Sequence, residues 1–318
     1  MKLLFMNPVL KHNIWGGSSL RTEYGYSEAG EDIGECWGIA AHPHGDCTIR
    51  EGEYAGKTLS WLWKNQPELF GKTRQETEEK VFPLLIKIID ARQDLSIQVH
   101  PDDAYAYIHE NHSLGKTECW YILHCEKNAE LVVGHNAKTK AELQNMIREG
   151  NWKELIRTVS VKPGDLIEIE PGTVHSIKGG IILLEIQQNS DITYRLYDYG
   201  RLVDGKPREL HLDKCMDVIT VPTKDLKTCL FHTDGMENNR LLMLYECSYY
   251  RVYKLTVTEE MSFEKQDAYL LATVVEGHGC INGQEVKKGD NFILPSGMET
   301  VHCSGEMELI MSAEAKGV

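Results

Sequence analysis

Apolar and polar positions alternate with period two along much of the chain, the pattern of half-buried strands. In LSIQVHPDDAY, Leu95 to Tyr105, the residues Leu95, Ile97 and Val99 fall on one face and Ser96, Gln98 and His100 on the other. VFPLLIKIIDARQDLSIQVHP reads as two strands joined by the turn ARQD, and CWYILHC, ELVVGH, DLIEIE, IILLEIQQ and DITYRLYDYG continue the strand pattern. Helical spacing appears in four places: Thr58 to Lys80, with Ser60 as an N-cap and Pro67 as an interruption; DDAYAYIHEN, with acidic residues at its positive end; Thr139 to Thr158; and Arg208 to Ile219. From about Thr228 onward the pattern predicts only short strands and turns.

GDLIEIEPGTVH (Gly164 to His175) is echoed by GDNFILPSGMETVH (Gly289 to His302). Each reads as a β-hairpin at the edge of a barrel, and the pair suggests two related β-domains. With VPTKD as connector, the expected division is 1–225 and 226–318.

The 318 residues are an ordinary soluble composition, 42% apolar and 26% charged. No apolar run is long enough for a membrane span, and the first residues lack a small-residue cleavage site, so a mature cytoplasmic protein is expected. Nine cysteines without a C-x-x-C pair point to reduced thiols, each a small buried apolar residue. A net charge of −14 argues against nucleic acid as a partner. A small anionic substrate stays possible only where lysines and arginines gather locally.

Residues i and i+2 of a strand stand about 7 Å apart on one face, so Gln98 and His100 could share an ion. Glu118 opens one strand-like segment and His175 follows the turn PGTVH. Two imidazoles, a carboxylate and an amide oxygen suit Zn²⁺ and would also accept Mn, Fe, Co or Ni. Any one of the 13 histidines alone reads as a hydrogen-bonded structural residue, so the set means a metal only if the fold brings three segments together. Glu185 lies inside the apolar run IILLEIQQ, where a carboxylate needs a partner, and a Glu–Arg pair that merely holds the sheet is one reading. Lys116 and Arg195, the latter on one face with Asp191 and Thr193, are the local cations that an anionic substrate requires. No P-loop, G-x-G-x-x-G or H-E-x-x-H pattern occurs.

SIQVHPDDAYA, GKTECWYIL, PGTVHSI, EIQQNSDITYRLYDYGR and KPRELHLDKCMDVI together resemble the type I phosphomannose isomerases (mannose-6-phosphate isomerases) in their short bacterial form. The resemblance is dense over residues 1–220 and weaker beyond. It implies a mainly β fold: a cupin jelly-roll β-barrel with helical insertions, followed by a second, smaller cupin-like β-domain. It implies one zinc ion per chain held by Gln98, His100, Glu118 and His175, with Ser96 lining the substrate pocket. Lys116, Glu185 and Arg195 would lie in the active site, Arg195 as the catalytic residue, and Asp191 and Trp15 fall near the motifs.

The implied reaction interconverts mannose 6-phosphate and fructose 6-phosphate through an enediol. The substrate would be a small sugar phosphate, with no membrane and no protein partner implied. Two departures stand out. Ile177 occupies a position that is aromatic in some relatives, and the second echo keeps His302 without a Q-x-H strand, so no metal is expected in the C-terminal domain. A cupin metalloenzyme of another class, such as an oxygenase, and a non-catalytic sugar-phosphate-binding protein remain as alternatives.

Overall fold

The computed structural model describes residues 1–315 apart from 29. Three large antiparallel sheets carry the fold, as the mainly β expectation requires. The first runs in the order Leu230–His232, Asp165–Ile169, Glu118–Cys125, Ile181–Gln188, Leu84–Ala91, and then both Val9–Gly17 and Ile33–Ile39. The second has the order Ile156–Ser160, Glu130–His135, His175–Ile177, Ile97–Val99, Tyr194–Tyr197. Their inner faces share one apolar core, with Ile89, Trp120, Ile122, Ile167 and Leu183 from the first sheet and Leu131, Val133 and Ile177 from the second. Hydrogen-bonded ladders do not join the two sheets into a closed barrel among the described residues.

The third sheet is C-terminal, with Tyr250–Val257, Thr300–Glu314, Leu270–Ile281 and Asn291–Leu294 as successive neighbours. Its longest strands have 15 and 12 residues, contrary to the expectation of short strands only. Gly277 and Gly305, at positive φ, interrupt the apolar alternation that would have revealed their length. One face of this sheet packs Leu255, Leu270, Phe292, Val301 and Leu309 into an apolar interior. The other meets the outward face of the first sheet, so that Leu84, Ile86, Tyr121 and Leu184 share a core with Tyr250, Val252, Leu271 and Ile310. The N-terminal strand Leu4–Asn7 crosses over: Leu4 pairs with Ile293, and Met6 with Ile49.

Several local expectations change. Leu84–Ala91 and Ile97–Val99 are both strands, but they belong to different sheets, and so do Asp165–Ile169 and His175–Ile177. Period-two alternation marks a strand and a face, not the neighbour it bonds. Thr58 rather than Ser60 caps the helix Leu59–Asn65, because its hydroxyl accepts from the Trp61 N–H, while Ser60 bonds Asp46. Thr139–Thr158 resolves into helices Lys140–Glu149 and Trp152–Leu155 followed by a strand, and the helix after Arg208 starts only at Leu212. His302, the echo of His175, is exposed and bonded to Ser262.

The helix Asp103–His109 begins right after the QVHP strand, with Asp102 as its N-cap accepting from Tyr105 N–H at 2.8 Å. Asp102→Ala is expected to lower stability by about 1 kcal/mol, read as a shift in the urea midpoint, without changing metal content. Gly115 lies against this turn: a Cβ there would stand 2.4 Å from the Asp102 carbonyl carbon. That close approach, with Lys116 N–H donating to Pro101 C=O at 3.0 Å, brings Lys116 beside His100.

Candidate active site

His175 of one strand lies opposite Gln98 of the next, and Gln98 lies opposite Arg195 of the third. Directly paired residues project from the same side of a sheet, so these three form a row on the face that meets the first sheet. His100 continues the Gln98 face, and Ser96 precedes it, its hydroxyl 3.5 Å from Gln98 Oε1. From the facing sheet, Glu118 points inward with Trp120 and Ile122, while Cys119 and Tyr121 point the other way into the shared core.

His100, Glu118 and His175 converge as a buried group whose donor atoms lie within 4.8 Å of one another. The two Nε2 atoms are 3.1 Å apart, His100 Nε2 is 3.7 Å from Glu118 Oε2, and His175 Nε2 is 3.5 Å from Glu118 Oε1. Donors about 2.1 Å from one tetrahedral ion stand about 3.4 Å apart, so these separations fit a shared cation. The tautomer fits as well. His175 Nδ1 lies 2.8 Å from the Thr173 carbonyl and must donate to it, which leaves the Nε2 lone pair facing the group. Glu118 Oε1 has no hydrogen-bond partner, and Lys116 Nζ pairs with Oε2 at 2.8 Å.

Gln98 approaches through its amide, Nε2 being 3.4 Å from His175 Nε2; ligation by the oxygen requires that amide to be turned over. Burial, helped by the Lys116 ammonium, pushes His175 down to about 4 and His100 well below the ordinary imidazole range. Both imidazoles are thus neutral, the form that binds a metal.

Beside this group lies a buried ladder of alternating charge. Lys116 Nζ stands 3.7 Å from Glu185 Oε1, and Lys87 Nζ stands 3.0 Å from the same oxygen. Glu185 Oε2 accepts from Trp120 Nε1–H at 3.1 Å. Lys87 Nζ also lies 3.6 Å from Glu35. Burial alone would raise the Glu185 carboxyl, but the two ammoniums outweigh it and hold the group well below the carboxylate range. Glu118 goes the other way, pushed up to about 7 by burial and by the nearby Glu185 charge.

The partner of Glu185 is therefore lysine and not Arg195, whose Nη1 donates to the Glu209 carbonyl at 2.8 Å. The strand carrying Arg195 begins only at Tyr194, and Asp191, expected on its face, pairs instead with His42 and His44. Arg195 is half-buried and its Nε has no partner. Lys87 was missed in the sequence, yet it left a signal: it is the one charge in LLIKII, at an inward position opposite Glu185.

A second group, His42, His44 and Asp191, lies at the rim. There His42 Nδ1 accepts the His44 backbone N–H at 3.1 Å, so Nε2, the atom facing Asp191, carries the proton. This is a carboxylate clasped by two imidazoles, not a set of free lone pairs. Trp15 is buried in the inner core.

A mainly β scaffold with a buried His–Glu–His group and two buried lysines beside it is the setting in which the comparisons with known proteins fall. Residues 3–114 match the model of the phosphomannose isomerase type I catalytic domain, and residues 240–314 that of the mannose-6-phosphate isomerase cupin domain. The chain is 49% identical to the mannose-6-phosphate isomerase ManA of Bacillus subtilis over 314 residues, 97% of this chain and 98% of that protein. It is 41% identical to the mannose-6-phosphate isomerase of Streptococcus mutans, covering 97% of each. A crystal structure of the mannose 6-phosphate isomerase from Bacillus subtilis superposes with a TM-score of 0.88 at 41% identity, over 98% of this chain and 100% of that one. The chain belongs to the type I phosphomannose isomerase family.

Proposed function

We propose that the protein is a zinc-dependent aldose–ketose isomerase that interconverts mannose 6-phosphate and fructose 6-phosphate through an enediol. The observation that carries the reading is the His100–Glu118–His175 convergence beside Lys116 and Glu185, in a chain 49% identical to a mannose-6-phosphate isomerase along its length. Gln98, His100, Glu118 and His175 would hold one ion per chain. When bound, such an ion polarises the sugar carbonyl and stabilises negative charge developing on the neighbouring oxygens.

The reaction moves a proton between C1 and C2 while another shifts between their oxygens, so it needs positioned proton carriers. Glu185 is held as a carboxylate by Lys87 and Lys116, and Lys116 is buried within reach of both carboxylates. In this reading Lys116 and Glu185 flank the reacting carbons and exchange the protons. Trp120 fixes the plane of the Glu185 carboxylate through its indole N–H. Arg195, on the Gln98 side, meets the negative charge of the substrate, and Ser96 lines the pocket wall. The unit that supplies all these residues is the expected domain 1–225; the C-terminal sheet packs behind it as support.

Conversion of mannose 6-phosphate to fructose 6-phosphate, measured on chelator-stripped protein and again after zinc is restored, tests this. Activity should vanish and return. Full activity after complete stripping would keep the isomerase and remove the metal; a folded protein inactive in both states would overturn the isomerase reading.

A further inference from the structure

We infer that Glu35 is a positioning residue for the reaction, acting through Lys87 on Glu185; this rests on the isomerase reading above. Glu35 and Trp37 lie two apart on Ile33–Ile39, opposite Ile89 and Lys87 of Leu84–Ala91. Lys87 in turn lies opposite Glu185. The row Trp37–Lys87–Glu185–Trp120 therefore crosses four strands on the inward face of one sheet, and Glu35 sits one step along from its end.

The contacts follow that register. Trp37 Nε1–H donates to Glu35 Oε2 at 2.7 Å, and the same oxygen is 3.6 Å from Lys87 Nζ. Asn13 Nδ2 approaches the other oxygen at 3.4 Å, and the Trp37 ring lies under Lys87 at 5.2 Å. The indole thus aims the Glu35 carboxylate at an ammonium that is only 5% exposed.

The physical consequence concerns Glu185 Oε1. That oxygen faces two ammoniums, Lys87 at 3.0 Å and Lys116 at 3.7 Å. Charges in a buried setting are weakly screened, so a carboxylate on the far side of Lys87 changes how strongly Lys87 draws on Glu185. With Glu35 ionised, Lys87 is shared between two carboxylates, and Glu185 stays between Lys87 and Lys116. With Glu35 neutralised, Lys87 has Glu185 alone. The pair tightens, Glu185 turns away from Lys116, and Lys116 settles on Glu118. A displacement of this kind, small in distance, acts on the reacting geometry while the substrate's binding groups stay in place.

Glu35→Gln tests the inference, since glutamine keeps the volume and an acceptor for the Trp37 N–H and loses only the charge. On zinc-loaded protein, kcat for mannose 6-phosphate should fall about tenfold to a hundredfold, with KM within about twofold and zinc content unchanged. Glu35→Asp, which keeps the charge, should recover part of kcat. A kcat within about twofold of the parent in Glu35→Gln, or a loss confined to KM, overturns the inference. If Glu35→Gln does not fold, Trp37→Phe removes the orienting N–H and leaves the charge; kcat should fall at least about threefold, and an unchanged kcat overturns the inference. An unmodified protein that is folded, zinc-loaded and inactive on mannose 6-phosphate overturns the isomerase reading instead, and the inference falls with it; that result precedes any variant.

Discussion

Replacing His175 by alanine is expected to lower bound zinc from about one ion per chain to near zero, and kcat/KM by at least about a thousandfold, equivalent to about 4 kcal/mol of lost transition-state stabilisation. The expectation follows from position. His175 is fully buried, its Nδ1 is committed to the Thr173 carbonyl, and its Nε2 lies within 3.5 Å of both His100 Nε2 and a Glu118 oxygen. Alanine leaves three donors, from Gln98, His100 and Glu118, and a gap, and the missing fourth donor cannot be supplied by neighbours that are themselves fixed by the sheets. Metal content and activity should fall together, while the metal-free parent and metal-free variant should differ little in secondary structure. A metal-free His175→Ala protein with full activity would remove the metal from the mechanism.

Lys87→Ala is expected to destabilise the folded chain by about 3–5 kcal/mol, since it removes one partner of a buried ion pair and leaves the other charged. Glu185 is 3% exposed, and the remaining ammonium, Lys116, already lies 2.8 Å from Glu118. Replacing both partners by apolar residues, Lys87→Met with Glu185→Leu, should recover part of the loss, because Glu185 is then no longer a buried charge without Lys87, while Glu35 still loses its 3.6 Å contact. Urea unfolding of the parent, the single variants and the double variant measures the coupling. Additive losses in the double variant would mean that Lys87 and Glu185 do not stabilise each other. On the function proposed above, the double variant should nonetheless be inactive, because Glu185, one of the two proposed proton carriers, is gone.

The candidate site was legible in the sequence to the extent that its chemistry is local. Gln98 and His100 are two apart on one strand, Lys116 and Glu118 two apart at the start of another, and both pairs share a face as the spacing requires. PGTVH places His175 by a tight turn in which Gly172 adopts positive φ. Pairing between distant segments was not legible. Nothing in IILLEIQQ says that Glu185 faces Lys87 rather than Arg195, because cross-strand register is set by the whole sheet. The same reason explains the misread hairpin at PGTV: its two strands, like those joined across ARQD, go to different sheets, and that separation is what opens the space the site occupies. Lys87 went unnoticed because a single lysine in an apolar strand looks like an edge residue until its partners are known.

The pairing of Leu4 with Ile293 makes the two ends of the chain one piece of architecture. Positions so far apart in sequence can meet only after residue 293 has been made, so the C-terminal sheet stays incomplete while the earlier strands are already available to fold. It also means that residues 1–225 are not expected to stand alone. A fragment ending near 225 would leave Leu4–Asn7 without its Asn291–Leu294 partner and would bare the outward face of the sheet that carries Glu118 and Glu185. What the last third of the chain contributes in this fold is cover: Tyr250, Val252, Leu271 and Ile310 close over the outward face of that sheet, whatever its own histidine does.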